Sequence, residues 1–181
     1  MAELLEKIPV EKCWAITVKA LTRLIALRIH IARNLLGIGE GIISPIWGWE
    51  KYEEINTKIW ADGGKKLFPL VKKMFNILVE DAIGAAMLRI VVVTLTNGPE
   101  LKYEIVESTP KRTVIRITQC AYCVRYKEFG INPELSACPE GHQANVEEGL
   151  KAVNPKLSFK LTKAIPRGDP YCEEIFEFKE D

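Results

Sequence analysis

The stretch Leu101-Lys102-Tyr103-Glu104-Ile105 marks the point at which the periodicity of the sequence changes. Its apolar residues alternate with charged ones, and this period of two predicts a strand with one face exposed to water. Before Pro99, apolar residues recur with helical spacing instead. The stretch therefore separates a helical part, residues 1–97, from a strand-rich part, residues 98–181. We expect both parts to belong to a single domain.

Residues 10–36 form the most apolar segment of the chain. Basic side chains interrupt it, among them Lys19, Arg23, Arg28, His30 and Arg33. Because each central cation costs roughly 2.5–3.5 kcal/mol in a bilayer, we expect a long amphipathic helix and no membrane span. Arg28 projects from the middle of the apolar face. Its guanidinium either reaches solvent or an acidic partner, or forms a buried anchor for a substrate carboxylate.

Further helices are predicted in the rest of the helical part. Residues 49–60 are rich in aromatic side chains and predict a short helix, which the turn residues Asp62-Gly63-Gly64 should end. Helical spacing returns at residues 66–78 and 81–93, and Asp81 is placed to cap the last helix.

The strand-rich part predicts a ββαββ order. A second strand at residues 113–122 should form a hairpin with the first, and a helix is predicted at residues 139–153. Two more strands are predicted at residues 157–162 and 171–178. The expected fold class is α+β, with N-terminal helices followed by a four-stranded, mainly antiparallel sheet.

The composition of the chain excludes several classes of protein. A net charge of +1 over 181 residues gives no reason to expect a nucleic-acid partner. Residues 1–12 alternate acidic and basic side chains and lack the apolar core of a signal peptide. The five cysteines are widely spaced, so we interpret them as the reduced thiols of a cytosolic protein.

The stretch Cys138-Pro139-Glu140-Gly141-His142 carries the most reactive side chains near a predicted helix start. Unpaired amides there favour a thiolate at Cys138, and His142 lies one helical turn later on the same face. The pair is suited either to an activated nucleophile or to a metal site. The simpler alternative is a small apolar cysteine and a surface histidine.

Other cysteines extend this group. Cys120 is predicted near the end of the second strand, on its polar face, and Cys172 begins the last strand. If the central strands are neighbours, both converge with Cys138 and His142 at one end of the sheet, where the four residues are suited to hold zinc or iron. Cys120 and Cys123 have CxxC spacing, but residues three apart on a strand point to opposite faces. A zinc site at that pair therefore requires the strand to end at Cys120.

A family pattern connects these residues. It consists of Cys120, the stretch from Cys138 to His142, Asn154-Pro155, and the Pro-Arg-Gly-Asp-x-x-Cys turn that ends at Cys172. Over about residues 65–178 the chain resembles the L-2-amino-thiazoline-4-carboxylic acid hydrolase family, and more loosely the vinyl-reductase-like small-molecule-binding domains. The family resemblance implies a hydrolase that opens a small cyclic amidine or thiazoline-type substrate at a carbon–nitrogen bond.

The resemblance also implies roles for individual residues. Cys138, His142 and Asp169 would be catalytic, Arg167 or Arg28 would hold a substrate carboxylate, and the metal ligands would be Cys120, Cys138, His142 and Cys172. Arg167-Gly168-Asp169 is equally suited to a tight turn in which Gly168 has positive φ and Asp169 bonds nearby backbone. Two other hypotheses are a non-enzymatic sensor or carrier of a small molecule, metal or cofactor, and a structural zinc module. The expected partner is a small-molecule substrate, and assembly into a homo-oligomer is left open.

Overall fold

The computed structural model describes residues 17, 19–20, 43–128 and 138–179. The predicted amphipathic helix at residues 10–36 lies almost wholly outside these ranges, as does the predicted role of Arg28. The elements used below are α1 Ile43–Phe75, α2 Ala82–Asn97, β1 Lys102–Ser108, β2 Arg112–Gln119, α3 Ala121–Glu128, α4 Cys138–Val153, β3 Leu157–Lys163 and β4 Cys172–Phe178. No helix in the described ranges is long and apolar enough to cross a bilayer.

The four strands form one sheet in the order β1-β2-β4-β3, in which every neighbouring pair is antiparallel. Helix α2 packs on β2 and β4, and α4 packs on β3. The core between helices and sheet includes Ile115, Ile117, Phe159 and Phe176. The predicted α+β class and the four-stranded antiparallel sheet are therefore confirmed.

Helix α1 continues through Gly63 and Gly64, where the sequence predicts a break. These glycines lie where α1 crosses α4. A Cβ atom on Gly64 would lie 2.0 Å from the backbone oxygen of Asn145, so only glycine allows the two backbones to approach this closely. Gly149 of α4 faces the Phe68 ring in the same way. The glycines mark a helix crossing here, and the predicted turn was wrong for that reason.

Helix α2 begins where the sequence predicts. The carboxylate of Asp81 accepts a hydrogen bond from the amide of Gly84 at 2.8 Å, which is the geometry of an N-cap. The helix continues through the β-branched residues after Ile90 and ends at Asn97. Val92 and Val93 are buried in the core, so packing outweighs the weak preference of their side chains for strands.

Candidate functional site

A cavity of about 150 Å³ lies between α1, α2, the start of α3 and α4. Its apolar walls include Trp60, Leu67, Val92 and Ile117. Reactive side chains face it from several elements, and they are Arg89, Cys120, Tyr122, Cys123, Cys138, His142 and Cys172. The structure thus brings Cys120, Cys138, His142 and Cys172 to one cavity, although they are distant in the sequence. Their chemical roles remain predictions.

A buried charged network forms one side of this cavity. Arg89 donates to both oxygens of Glu174, from Nε to Oε2 at 3.1 Å and from Nη2 to Oε1 at 3.0 Å. Nε2 of His142 lies 2.9 Å from the same Oε1 and 2.8 Å from Nη2 of Arg89. The side chain of Glu174 is 0% exposed and that of Arg89 is 8% exposed. Such a bidentate pair satisfies a carboxylate that water cannot reach.

The network determines the protonation of its members. Burial alone would raise the pKa of Glu174, but the charge of Arg89 and the hydrogen bonds from His142 and Arg89 lower it to about 2. Burial lowers the pKa of His142, and the cation of Arg89 lowers it further, against the opposing effect of Glu174. His142 is therefore neutral at pH 7. Nε2 faces both an acceptor, Oε1 of Glu174, and a donor, Nη2 of Arg89, so whether Nε2 donates or accepts depends on the tautomer of the ring.

Cys120 lies at a helix start and not within a strand. Strand β2 ends at Gln119, and the carbonyl of Cys120 accepts the amide of Val124 at 3.1 Å, the first hydrogen bond of α3. The sulfur of Cys120 accepts the amide of Cys123 at 3.5 Å. The prediction that the strand continues to residue 122 was wrong, because the first turn of α3 uses these backbone groups. Both CxxC cysteines consequently face the cavity instead of opposite sides of a sheet.

The cavity thiols differ strongly in acidity. The hydrogen bond from the Cys123 thiol, helped by backbone amides and opposed by burial, lowers the pKa of Cys120 to about 7. The same hydrogen bond and burial raise the pKa of Cys123. Burial raises the pKa of Cys138, which is opposite to the direction that its helix start predicts. Burial also raises the pKa of Cys172 to about 12. Cys120 is thus the most acidic of the four.

The predicted metal site receives no support from the described geometry. Within residues 43–128 and 138–179, no group of three or more histidine, cysteine, aspartate or glutamate side chains is arranged to hold an ion. Cys120, Cys138, His142 and Cys172 share a cavity without forming such a group. The metal-binding role of these four residues remains a prediction.

The Pro-Arg-Gly-Asp segment forms a turn beside the cavity. Asp169 accepts the amide of Ala164 at 2.8 Å, and Gly168 has φ of 90°, a backbone conformation that favours glycine. Arg167 is exposed and pairs with Glu140. Of this segment, the cavity is lined by Pro166 and not by Arg167 or Asp169. The turn role is present in the structure, while the catalytic role of Asp169 and the substrate-binding role of Arg167 remain predictions.

The whole arrangement can be compared with known proteins. A match to the L-2-amino-thiazoline-4-carboxylic acid hydrolase family spans residues 47–176. The chain belongs to this family. The match begins earlier than the stretch of about residues 65–178 that the sequence motifs indicate, because it includes much of α1. No curated protein matches the sequence.

Two solved structures are similar to this chain of the hydrolase family. The trafficking protein particle complex subunit 3 from Naegleria fowleri, described as covalently bound to palmitic acid, has a TM-score of 0.58 and 12% identity. The alignment covers 90% of this chain and 97% of that chain. The phenol-responsive sensory domain of the transcription activator PoxR has a TM-score of 0.49 and 11% identity, with 89% and 74% covered. At these identities the first structure shows a shared fold alone.

Arg89 and Glu174 were absent from the sequence predictions for this family member. Arg89 is the only charged residue of α2, an otherwise apolar or neutral helix. Glu174 alternates with Cys172 and Phe176, both buried on β4. A charged side chain at a core position needs a buried partner. The isolated cation Arg89 and the inward-facing acid Glu174 could therefore have indicated a buried ion pair. The sequence did not indicate that these two residues, which are 85 positions apart in the chain, are in contact.

Proposed function

We propose that this protein is a hydrolase that opens the ring of a small cyclic amidine or thiazoline-type molecule by cleaving a carbon–nitrogen bond with water. Family membership supports the reaction class. One observation carries the proposal. Cys120 and the His142–Glu174–Arg89 network lie at the same cavity. A dry cavity of about 150 Å³ is known to take up benzene, so this volume suits a single small ring.

The proposed reaction begins at Cys120. Its thiolate adds to the ring carbon of the amidinium form and forms a sulfur–carbon bond. The ring nitrogen, which already carries one proton, takes a second from the exocyclic amino group, and the ring carbon–nitrogen bond breaks to release an amine. Water then attacks the same carbon, and in this proposal the ring proton of His142 lies on Nε2, so that Nδ1 moves a proton from the water to the imine nitrogen left on that carbon. The bond to Cys120 breaks and restores the thiolate, and the remaining hydroxyl proton passes to the amine. Over the cycle one water is consumed, and a carbon–oxygen bond replaces the ring carbon–nitrogen bond.

The remaining residues have supporting roles in this proposal. Glu174 and Arg89 hold the ring of His142, which also lies against Phe159 with ring centroids 6.0 Å apart. Cys120 replaces Cys138 as the proposed nucleophile, because its pKa is lowered while that of Cys138 is raised. A free thiol is the state maintained in a reducing cytosol, and we propose that location with the function. A small-molecule substrate is the only partner that the mechanism requires.

The test uses 2-amino-thiazoline-4-carboxylate as substrate. We expect the full-length protein to convert it to a product heavier by one water, with a new primary amine, as measured by mass spectrometry. Cys120→Ser and His142→Gln should each lower kcat at least about 100-fold. Cys172→Ser, which changes another cavity thiol, should retain activity within about threefold of the unmodified protein. Unchanged kcat in Cys120→Ser would reject the proposed nucleophile, and no ring opening would reject the reaction.

A second candidate is a non-enzymatic binding module. The apolar cavity walls and the thiols facing them support it, as does the shared fold with a subunit described as covalently bound to palmitic acid. If this candidate is correct, intact-mass measurement of the purified protein should show an attached acyl group that hydroxylamine removes. Such a protein should also fail to open the thiazoline ring. Ring opening by protein that carries no adduct would favour the hydrolase.

A further inference from the structure

We propose that Cys120 and Cys123 form a redox-active dithiol, which low-molecular-weight disulfides oxidise reversibly to an intramolecular disulfide. The site lies at the first turn of α3 and faces the cavity. This activity goes beyond the proposed hydrolysis and does not depend on it. The reaction is thiol–disulfide exchange, which needs two neighbouring cysteines. It does not involve the carbon–nitrogen bond of the proposed hydrolase substrate.

The geometry places the two sulfurs on one side of a single helical turn. Cys120 occupies the capping position of α3, and Cys123 is its third residue. The amide of Cys123 donates to the sulfur of Cys120 at 3.5 Å, and the Cβ of Cys123 is only two bonds from that amide. A disulfide requires Cβ atoms about 3.5–4.5 Å apart, a spacing that this close approach brings within reach. The two thiols are also hydrogen-bonded to each other, so their sulfurs are already neighbours.

Hydrogen bonds from the end of α2 hold the start of α3 in place. The two cysteines of the CxxC turn are therefore kept close to each other. The side-chain oxygen of Asn97 accepts the amide of Ala121 at 2.8 Å. The amide nitrogen of the same side chain donates to the carbonyl of Val93 at 3.1 Å, and Asn97 is buried. Asn97 therefore joins the end of α2 to the first residue of α3. The CxxC turn is held between two packed elements.

The two cysteines are unequal, and the difference determines the order of attack. Cys120 is half-buried, whereas Cys123 is 5% exposed. Attack on an incoming disulfide requires an accessible thiolate, and the resolving thiol needs only to reach its neighbour. The lowered pKa of Cys120 and the raised pKa of Cys123 agree with this order. Cys120 is the attacking thiol, and Cys123 is the resolving thiol.

The exchange balances without a metal or cofactor. The Cys120 thiolate attacks one sulfur of a small disulfide, forms a mixed disulfide and releases the first small thiolate. Cys123 then loses its proton to that thiolate and attacks the sulfur of Cys120. A bond between Cys120 and Cys123 forms, and the second small thiolate departs. The protein loses two hydrogens and is oxidised, and the small disulfide is reduced to two thiols.

Two other thiols face the same cavity and are the natural competitors. The sulfur of Cys172 accepts the amide of Ile165 at 3.4 Å, so it is engaged by the turn after β3. Cys138 belongs to α4, a different helix from the one that carries Cys120. Of the described cysteines, Cys123 is the one with a hydrogen bond to the sulfur of Cys120. A disulfide with Cys123 needs no movement between elements.

The experiment uses full-length reduced protein and 2-hydroxyethyl disulfide as the oxidant. We expect loss of two hydrogens by intact mass, a peptide that contains linked Cys120 and Cys123, and full reversal by dithiothreitol. The rate should rise about tenfold per pH unit below pH 7 and level off above it, as the thiolate of Cys120 forms. Substrate is absent from this assay, so its result is independent of hydrolase activity.

Variants separate the steps. Cys123→Ser should stop at a stable mixed disulfide on Cys120, and Cys120→Ser should slow the initial reaction more than about tenfold. Cys172→Ser is the matched cavity control and should still form the Cys120–Cys123 disulfide. A linkage of Cys120 to Cys138 or Cys172 would overturn the proposal. So would a mixed disulfide in the unmodified protein that does not resolve, an outcome that requires no variant to fold.

Discussion

The Pro166–Asp169 turn and the Arg89–Glu174–His142 network contain similar charged side chains in opposite surroundings. In the turn, the side chain of Arg167 is 54% exposed and its partner Glu140 is 35% exposed. In the network, Arg89 and Glu174 are almost completely removed from water. Water and ions screen the first pair, whereas the second pair must be satisfied by protein groups alone. The motif that is most conspicuous in the sequence is therefore not the one on which the interior depends.

The largest effect is expected from breaking the buried network. Arg89→Met should lower the free energy of unfolding by about 3–5 kcal/mol, because it leaves Glu174 buried without its main partner. The double variant Arg89→Met/Glu174→Leu should recover most of this loss, since no uncompensated charge remains. Urea unfolding measures both. A loss under 1 kcal/mol for Arg89→Met alone would show that the network is not sealed from water.

The second-largest effect is expected on the stability of the protein at low pH. The pKa of Glu174 is lowered to about 2, so its stabilisation is complete above about pH 4.5 and is lost as the pH falls toward 2. The resulting loss in the free energy of unfolding is roughly 3 kcal/mol. His142 has a lowered pKa as well, so stability should begin to fall below about pH 6.5. The free energy of unfolding, measured from pH 7.5 to 3, tests the effects of both Glu174 and His142. The variant Arg89→Met/Glu174→Leu should show a much flatter dependence on pH than the unmodified protein.

The same pH dependence in the two proteins would contradict the assignment of the acid effect to Glu174.

A smaller effect is expected in the turn. Asp169→Ala removes the acceptor for the amide of Ala164 and should cost about 1 kcal/mol of unfolding free energy. Asp169→Asn keeps one oxygen able to accept that bond, so it should cost less than the alanine variant. Thermal unfolding of the two variants provides the comparison. If they are equally stable, the hydrogen bond does not hold the turn.

The smallest effect is expected at Arg167. Its ion pair with Glu140 is exposed, so Arg167→Ala should change the free energy of unfolding by less than about 0.5 kcal/mol. Chemical unfolding under the conditions used for Arg89→Met gives the matched measurement. A loss above 1 kcal/mol at Arg167 would remove the contrast between the exposed turn and the buried network.

Local patterns predicted much of the fold, because each depends on residues close in the chain. The alternation after Pro99 predicted the strand β1, and Asp81 was correctly predicted as the N-cap of α2. The prediction that only one face of β1 is exposed was wrong, because Tyr103 and Ile105 on its apolar face are exposed as well. The same local signals failed at Gly63-Gly64 and at Cys120. In the first case glycine serves a contact with α4, and in the second the chain leaves the sheet to begin α3. Both outcomes depend on what lies across the interior.

The sequence by itself determined the family, the α+β order and the set of cysteines and histidine from which a site is built. Only the tertiary structure decided that Cys120 has the lowered pKa, that Cys138 does not, and that Arg89 and Glu174 hold His142. The physical reason is that acidity depends on burial and on charges brought near in space. Helical and strand periods are local, whereas a pKa is set by every group that packs around the atom.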